Sequence, residues 1–342
     1  MNISEEPDGG KLHVRFREGY SKSLALLIRI FIAKGRDLDM STQRKRILGR
    51  TGLELMPLGL GGMELHHLDQ KQADILLNTA LDNGVNYIDS SPEYLRSEER
   101  IGNAIAHRRA EFILATKCGD NMTGIGPSYM FDRKTCLQNL EDSLRQLKMD
   151  YIDVWQLHAV IPEYIANGEA DDVIQCMLEA KKAGKIRFLG ASIKNGRPDE
   201  DRHPAEFGYH AIKEFMEWKV LDVVQIVYGG LTRRNELRIQ KAAEKGTGIV
   251  TRGILNKYKN NYDELFERSK ISELFEANET RNEFLIRFAL ANKGVSCALI
   301  GTKSVEHLVQ NIRAVEKGVL SQEVYNEAKR RLDAIGITPG PV

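Results

Sequence analysis

From residue 55 onward the chain alternates short, almost uninterrupted apolar runs with amphipathic stretches of helical period. The apolar runs are Leu58–Gly61, Val85–Asp89, Phe112–Thr116, Ile152–Leu157, Ile186–Gly190, Val223–Ile226, Ile249–Thr251 and Ala298–Ile300. Runs this short and this apolar suit strands buried on both faces, the condition of a parallel sheet. Between them the period changes. Leu137, Leu140, Leu144 and Leu147 recur at helical spacing and mark one face of a helix. Asp69, with Gln72 three residues on, has the form of a capping box, and Asp132 and Ser304 suit the caps of two further helices. Gly84, Gly184, Gly246 and Gly294 each close a helical stretch shortly before a strand, where a left-handed residue stops a helix.

Eight such units over roughly 250 residues predict an α/β chain closed into a (β/α)8 TIM barrel. A doubly wound open sheet is the rival, and it would carry G-x-G-x-x-G after its first strand. Residues 58–63 read LGLGGM, which lacks the third glycine and does not run into a helix. Residues 45–59, KRILGRTGLELMPLG, read as two short strands turning at Arg50-Thr51-Gly52, an N-terminal β-hairpin able to plug the barrel's bottom. Ser321–Leu332 reads as an extra C-terminal helix, and Tyr258–Phe275 as a charged, aromatic insertion after the seventh strand. Residues 1–39 lack the strand–helix rhythm. They are expected to be an extension outside the fold, with 40–342 forming a single barrel domain.

Composition removes several classes of function. Across 342 residues, 49 Lys and Arg stand against 48 Asp and Glu, a net charge of +1. No global field exists for wrapping nucleic acid or holding an anionic membrane. The longest apolar segment, Ser23–Ala33, carries Arg29 and is about half the ~20 residues that a span needs. The four cysteines, Cys118, Cys136, Cys176 and Cys297, form no CxxC pair. They fit reduced thiols in a cytoplasmic protein better than zinc or a disulfide framework. The adjacent His66 and His67 read as polar loop residues, and no metal is expected.

The chemistry lies in what ends each apolar run. Strand two ends in Asp89, strand three in Lys117 and strand four in His158. Ser192, Gln225, Arg252 and Gly301-Thr302-Lys303 end or follow the later ones. In a parallel barrel all these ends share one rim. Tyr94 lies five residues beyond Asp89. A carbonyl that receives hydride needs a proton, and a phenol can supply it. An adjacent ammonium lowers a phenol's pKa, a carboxylate holds that ammonium, and an imidazole can orient the substrate oxygen.

At this point the sequence resembles the aldo-keto reductase family, from about Arg46 to Ala314. LGRTGLELMPLGLGG is similar to the family's opening. NYIDSSPEY followed by SEERIGNAI resembles its Asp…Tyr signature, ILATKCG carries the Lys and DYIDVWQLH the His. IRFLGAS, VVQIVY and LIGTKSVEHLVQNI resemble its later cofactor segments. The resemblance implies reduction of an aldehyde or ketone, with Tyr94 as general acid, Lys117 and Asp89 as its tuning pair and His158 orienting the carbonyl. It implies a nicotinamide cofactor, NADP with NAD possible. Gly62, Met63 and Arg252 would line its site, Ser192 and Gln225 would hold the carboxamide, and Tyr228 would stack on the ring. Gly301, Thr302, Lys303, Ser304 and His307 would take the 2′-phosphate end, with Gln310 and Asn311 near the adenine.

This chain departs from the family pattern at several positions. Ile193 stands where Asn is common, His307 where a stronger base is usual, and Gln310 where an acid is usual. Leu95 replaces a common Gly, and Ala159 a common Trp that would wall the substrate pocket. Two other functions compete. One is Schiff-base chemistry on Lys117. The other is a non-catalytic, nicotinamide-binding redox-sensing subunit. The expected partner is a small-molecule carbonyl compound, not nucleic acid or membrane, for a monomer or homo-oligomer.

Overall fold

The computed structural model describes residues 45–193, 208–255 and 262–342. The extension expected at 1–39 lies outside them, as does the start of the insertion expected at Tyr258–Phe275. A short hairpin comes first, β1 (Arg46–Ile47) antiparallel to β2 (Glu54–Leu55), with Gly52 left-handed in the turn. The eight expected strands follow: β3 (Leu58–Gly61), β4 (Tyr87–Asp89), β5 (Ile113–Cys118), β6 (Ile152–Val160), β7 (Ile186–Ile193), β8 (Val223–Val227), β9 (Gly248–Arg252) and β10 (Cys297–Gly301). Each pairs in parallel with its neighbours, and β10 pairs with β3 to close the barrel.

β6 and β7 run furthest beyond their apolar stretches. β6 and β7 continue to Val160 and Ile193 because His158 stays in register with Ser192. Polar side chains ended the apolar pattern there without ending the ladder. β4 begins at Tyr87, two residues late, because Val85 N donates to Ala80 O and finishes the preceding helix.

Side chains alternate between two cores. Tyr87, Ile113, Ala115, Val154, Val223, Val250, Cys297 and Leu299 fill the lumen together with Leu48 and Leu55 of the hairpin. Gly248 opens β9, and a Cβ there would lie 2.9 Å from Leu48 Cγ. The hairpin therefore seals the end where the strands begin and leaves the other end for chemistry. The larger core fills the layer between strands and helices, with Leu60, Ile88, Leu114, Trp155, Leu157 and Ile226 facing outward.

Ten α-helices surround the barrel among the described residues: α1 (Gln70–Asp82), α2 (Ser97–Ile105), α3 (Arg133–Leu147), α4 (Asp172–Lys182), α5 (Tyr209–Phe215), α6 (Glu236–Glu244), α7 (Tyr262–Ser269), α8 (Arg281–Ala291), α9 (Val305–Glu316) and α10 (Gln322–Ala334). Asp69 and Gln72 form both arms of the capping box on α1. Asp132 caps α3, Ser304 caps α9, and Ser321 caps the additional C-terminal helix. Gly84, Gly184 and Gly246 are left-handed as expected. Gly294 is not: a Cβ there would lie 3.0 Å from Ile239 O and 3.1 Å from Gln240 Cα, so the site needs a small residue rather than a positive φ.

Helix α2 follows the Tyr94 segment and is wedged tightly. A Cβ on Gly102 would collide with Gln146 O and come within 2.7 Å of Leu147 C at the end of α3. Backbone cannot step aside as a side chain can. In the first turn of the same helix, buried Glu98 accepts a hydrogen bond from Thr116 Oγ1 at 2.6 Å. Burial drives its carboxyl up to about 7, against that hydrogen bond and the nearby Lys117 charge.

Two predictions follow from this wedge. Gly102→Ala should destabilise the fold by about 1–3 kcal/mol, read as a lower urea midpoint. Glu98 binds its proton more tightly folded than unfolded. Its stabilising contribution is complete below about 4.5 and is lost as pH rises to about 7. Glu98→Gln should remove that loss. Variant and parent stabilities should diverge across this window, in the variant's favour, by about 3 kcal/mol in urea melts.

Candidate active site

The alternation that fills the lumen with apolar groups delivers polar ones a step nearer the rim. Asp89 follows Tyr87 by two residues, Lys117 follows Ala115, Gln156 and His158 follow Val154, and Gln225 follows Val223. These side chains form a polar layer resting on the apolar plug. Lys117 is fully buried, and its Nζ donates to Asp89 Oδ1 and to Ser90 O, each at 2.6 Å. Asp89 Oδ2 accepts from Gln156 Nε2 at 3.0 Å and from Gln225 Nε2 at 2.9 Å. Gly190 makes room for this arrangement, since a Cβ there would lie 2.8 Å from Gln156 Cγ. Burial pulls the Lys117 ammonium down in pKa, but Asp89 and Tyr94 outweigh it and hold it above its ordinary value.

Tyr94 is half-buried in a short turn after β4, and Lys117 Nζ lies 4.7 Å from its ring centroid. Here the structure corrects a simple expectation. Burial raises the phenol more than Lys117 lowers it, and the net direction is upward. The phenol is therefore firmly neutral, with an ammonium in place to receive the negative charge when the proton leaves.

His158 meets Tyr94 edge-on, with ring centroids 5.9 Å apart, and Tyr129 packs on it at 5.4 Å. Its Nδ1 lies 2.6 Å from Asp120 Oδ1. Ser91 Oγ donates to Asp120 Oδ2 at 2.5 Å, and Glu93 N donates to the same oxygen at 3.3 Å. Burial pushes the Asp120 carboxyl up, but the hydrogen bonds from His158, Ser91 and Glu93 N outweigh it and hold it below its usual value. Glu93 Oε2 stands 3.6 Å from His158 Nδ1 and accepts from Tyr129 Oη at 3.4 Å. Sequence reasoning missed Asp120, Gln156, Ser91 and Tyr129. Gln156 was accessible to it, lying two residues before His158 on the same strand face. Asp120 and Tyr129 were not, because the loop after β5 brings them in.

The expected cofactor residues occupy the adjoining arc of the rim. Ser192 Oγ donates to Gln225 Oε1 at 3.0 Å, so these two are coupled to each other and to Asp89. Arg252 ends β9, where Val227 is its register partner, and its charge lowers the Tyr94 phenol. Gly301 pairs with Gly61, which brings Gly62 and Met63 beside the Gly301–Ser304 segment. Gly62 is buried, and a Cβ there would clash with Ser97 Oγ at 2.6 Å; Met63 is exposed. Gly301 is different. It is exposed, and a Cβ there would meet nothing nearer than 3.5 Å. Its bareness is not demanded by packing, and it leaves open backbone beside the start of α9. Ser304 Oγ accepts from His307 N at 3.3 Å, which leaves its own O–H able to donate. Lys303, His307 and Gln310 are exposed, Thr302 and Asn311 buried. An anionic nucleotide fits a bare glycine, a helix start and an exposed lysine.

Tyr228 does not belong to this arc. Val223, Gln225 and Val227 point inward on β8, so Val224, Ile226 and Tyr228 point out. Tyr228 is fully buried between barrel and helices, and its hydroxyl lies 3.2 Å from Tyr325 Oη. The role of stacking on a ring at the rim is withdrawn. Two of the residues that depart from the family pattern are strained: Leu95, after Tyr94, has φ 51° and Ala159, after His158, φ 50°, the latter at an irregularity between His158 and Val160. His66 and His67 sit in a turn after β3 with ring centroids 3.7 Å apart.

A model of the Aldo/keto reductase family matches residues 57–333. The chain is 28% identical to the "Uncharacterized oxidoreductase YqkF" of Bacillus subtilis, covering 82% of this chain and 94% of that one. It is 25% identical to the L-galactose dehydrogenase of Arabidopsis thaliana, over 85% and 94%. Among solved structures it is similar to the holo form of aldo-keto reductase AKR11C1 from Bacillus halodurans, with a TM-score of 0.71, 27% identity and coverage of 84% and 96%. With its closed parallel barrel and its rim of polar strand ends, the chain belongs to the aldo/keto reductase family, whose members are oxidoreductases.

Proposed function

We propose that this protein reversibly reduces an aldehyde or ketone to the alcohol, using NADPH or NADH. One observation carries the reading: a neutral phenol, Tyr94, lies against a buried ammonium that Asp89 fixes in place. A bound nicotinamide nucleotide supplies the hydride. Tyr94 Oη gives its proton to the carbonyl oxygen, and Lys117 stabilises the resulting phenolate. That attraction is stronger after proton transfer than before it, which is what acceleration requires. His158 orients the oxygen. Gly62, Met63, Ser192, Gln225, Arg252, Gly301, Thr302, Lys303, Ser304, His307, Gln310 and Asn311 would hold the nucleotide, with Lys303 taking the 2′-phosphate of NADP.

Schiff-base chemistry on Lys117 is disfavoured. The amine is fully buried, charged, and already donating to Asp89 and Ser90 O. Attack on a carbonyl needs a free lone pair. Four free buried cysteines suit a reducing cytosol, and among the described residues no helix is long and apolar enough to cross a membrane.

Tyr94→Phe should lower kcat for carbonyl reduction by about 10²–10⁴ while NADPH titration by nicotinamide fluorescence remains near the parental Kd. Reduction at the parental rate would remove Tyr94 from the chemistry. A parent that binds the nucleotide but turns over no carbonyl compound would favour the redox-sensing alternative. Lys303→Ala should weaken NADPH by roughly tenfold and leave NADH nearly unchanged, because only the former has a 2′-phosphate for the ammonium to meet.

A further inference from the structure

Large apolar side chains left in water gather on one part of the rim. Among the described residues nine are exposed, and five of them, Leu95, Met122, Ile125, Met130 and Tyr164, stand on the loops after β4, β5 and β6. Those are the strands that carry Asp89, Lys117 and His158. The loops touch one another. Glu93 N donates to Asp120 Oδ2 at 3.3 Å, Tyr129 Oη donates to Glu93 Oε2 at 3.4 Å, and Phe131 stacks on Tyr164 with ring centroids 5.4 Å apart. Apolar residues scattered singly over a surface need no account. A run of them on joined loops beside a group of polar strand ends marks a binding face.

The fold does not need these side chains where they are. Leu95 is 67% exposed at φ 51° and ψ −113°, a backbone conformation that glycine would adopt without strain. Met122 and Ile125 project from a loop braced by its own hydrogen bonds. Asn121 N donates to Ser128 O at 3.0 Å and Met130 N to Gly119 O at 2.8 Å, as rungs across its base. Asn121 Nδ2 then laces the tip, donating to Ile125 O at 2.7 Å and to Pro127 O at 2.8 Å. Ile125 is nonetheless 81% exposed. A loop held this way displays its apolar groups instead of burying them.

Charge on the same loops is almost all of one sign. Residues 90–96, 119–131 and 161–171 hold Glu93, Asp120, Glu163, Glu169 and Asp171 against Arg96. Glu99 takes Arg96 in two hydrogen bonds, at 2.8 and 3.0 Å. Glu93 is half-exposed, with its carboxylate 3.6 Å from His158 Nδ1. We propose that these three loops form an apolar, acidic lip that selects an uncharged aldehyde or ketone with an extended apolar body and discriminates against carbonyl compounds bearing a carboxylate or phosphate. This rests on the reductase reading above and names its substrate class. The apolar body lies against Leu95, Met122 and Ile125 and takes their surface out of water. An anion in the same place meets Glu93 and is repelled.

Three measurements test the proposal. With NADPH or NADH saturating, kcat/KM for straight-chain aldehydes should rise about twofold per methylene from butanal to octanal, half the free energy of a fully buried methylene. The double variant Met122→Ser, Ile125→Ser should flatten that rise. So should Leu95→Gly, without lowering the urea midpoint, since the substitution relieves backbone strain. Second, methyl 4-formylbenzoate should exceed 4-formylbenzoate in kcat/KM by at least about tenfold, and Glu93→Gln should narrow that gap about threefold. Third, and independent of turnover, the ¹³C-methyl signals of Met122 and Met130, assigned with Met122→Leu and Met130→Leu, should shift when octan-1-ol is added to the parent and stay in place with octanoate. A flat aldehyde series would overturn the proposal, and dimerisation of the parent that the double variant abolishes would then give this face to a second copy of the chain. Reduction of 4-formylbenzoate as readily as its ester would overturn it too, as would methionine signals that ignore octan-1-ol. A protein that reduces no carbonyl compound would end the reductase reading, yet the methionine spectrum would still decide whether the lip takes an apolar body.

Discussion

The buried pair Lys117–Asp89 is the constraint around which the rim is arranged. A charged amine with no exposed surface sits in a lumen otherwise packed with Tyr87, Ala115 and Val154. Losing one partner of such a pair leaves an uncompensated charge, a penalty of about 3–5 kcal/mol. The surrounding sequence answers that penalty group by group. Asp89 takes Lys117 on one oxygen and the amides of Gln156 and Gln225 on the other, while Lys117 places a further hydrogen on Ser90 O. Gln225 is in turn engaged by Ser192. One carboxylate thus ties together β4, β5, β6 and β8, and through Ser192 also β7. The ammonium beside Tyr94 and the Ser192–Gln225 pair are parts of one hydrogen-bonded layer.

The fold was largely legible because strands buried on both faces leave a plain trace. Every expected apolar run became a barrel strand, and the hairpin and its turn formed as the residues implied. Errors came where polar residues continue a ladder, as at His158 and Ser192, and where a glycine serves space rather than handedness, as at Gly294. The polar strand ends were legible as positions for the same reason as the strands: they sit in phase with the lumen residues before them. That phase also exposes the misassignment of Tyr228. It is three residues beyond Gln225, hence out of phase with it, and joins Val224 and Ile226 in the outer layer. Resemblance to a family motif suggested a role that strand alternation excludes.

Asp120 marks the boundary of what the sequence can convey. It lies three residues past Lys117, beyond the end of β5, so no periodicity places it. Its position follows from a loop that returns on itself, with Asp120 bridged to Tyr129 and Asn139 of α3 gripping the Asp120 backbone. The contact with His158 requires all of these at once. A residue of this kind is found by geometry alone.

The same distinction between strand and loop divides the labour of the site. The groups that handle charge stand on strands, where register fixes them against one another. Leu95, Tyr129 and Glu93, which surround them, stand on loops and turns, and Ala159 lies at the irregular end of β6. Two positions, Leu95 and Ala159, hold a non-glycine residue at positive φ, immediately after Tyr94 and His158. Strain of this kind amounts to about 1–3 kcal/mol at a site and persists only where the surroundings impose it. At Ala159 the imposition is visible. The register slips between His158 and Val160, as a bulge does when it re-aims a side chain, and the imidazole before it turns onto Asp120. The strained backbone and the His158–Asp120 pair are therefore two sides of one adjustment, made where a rigid strand gives way to a loop.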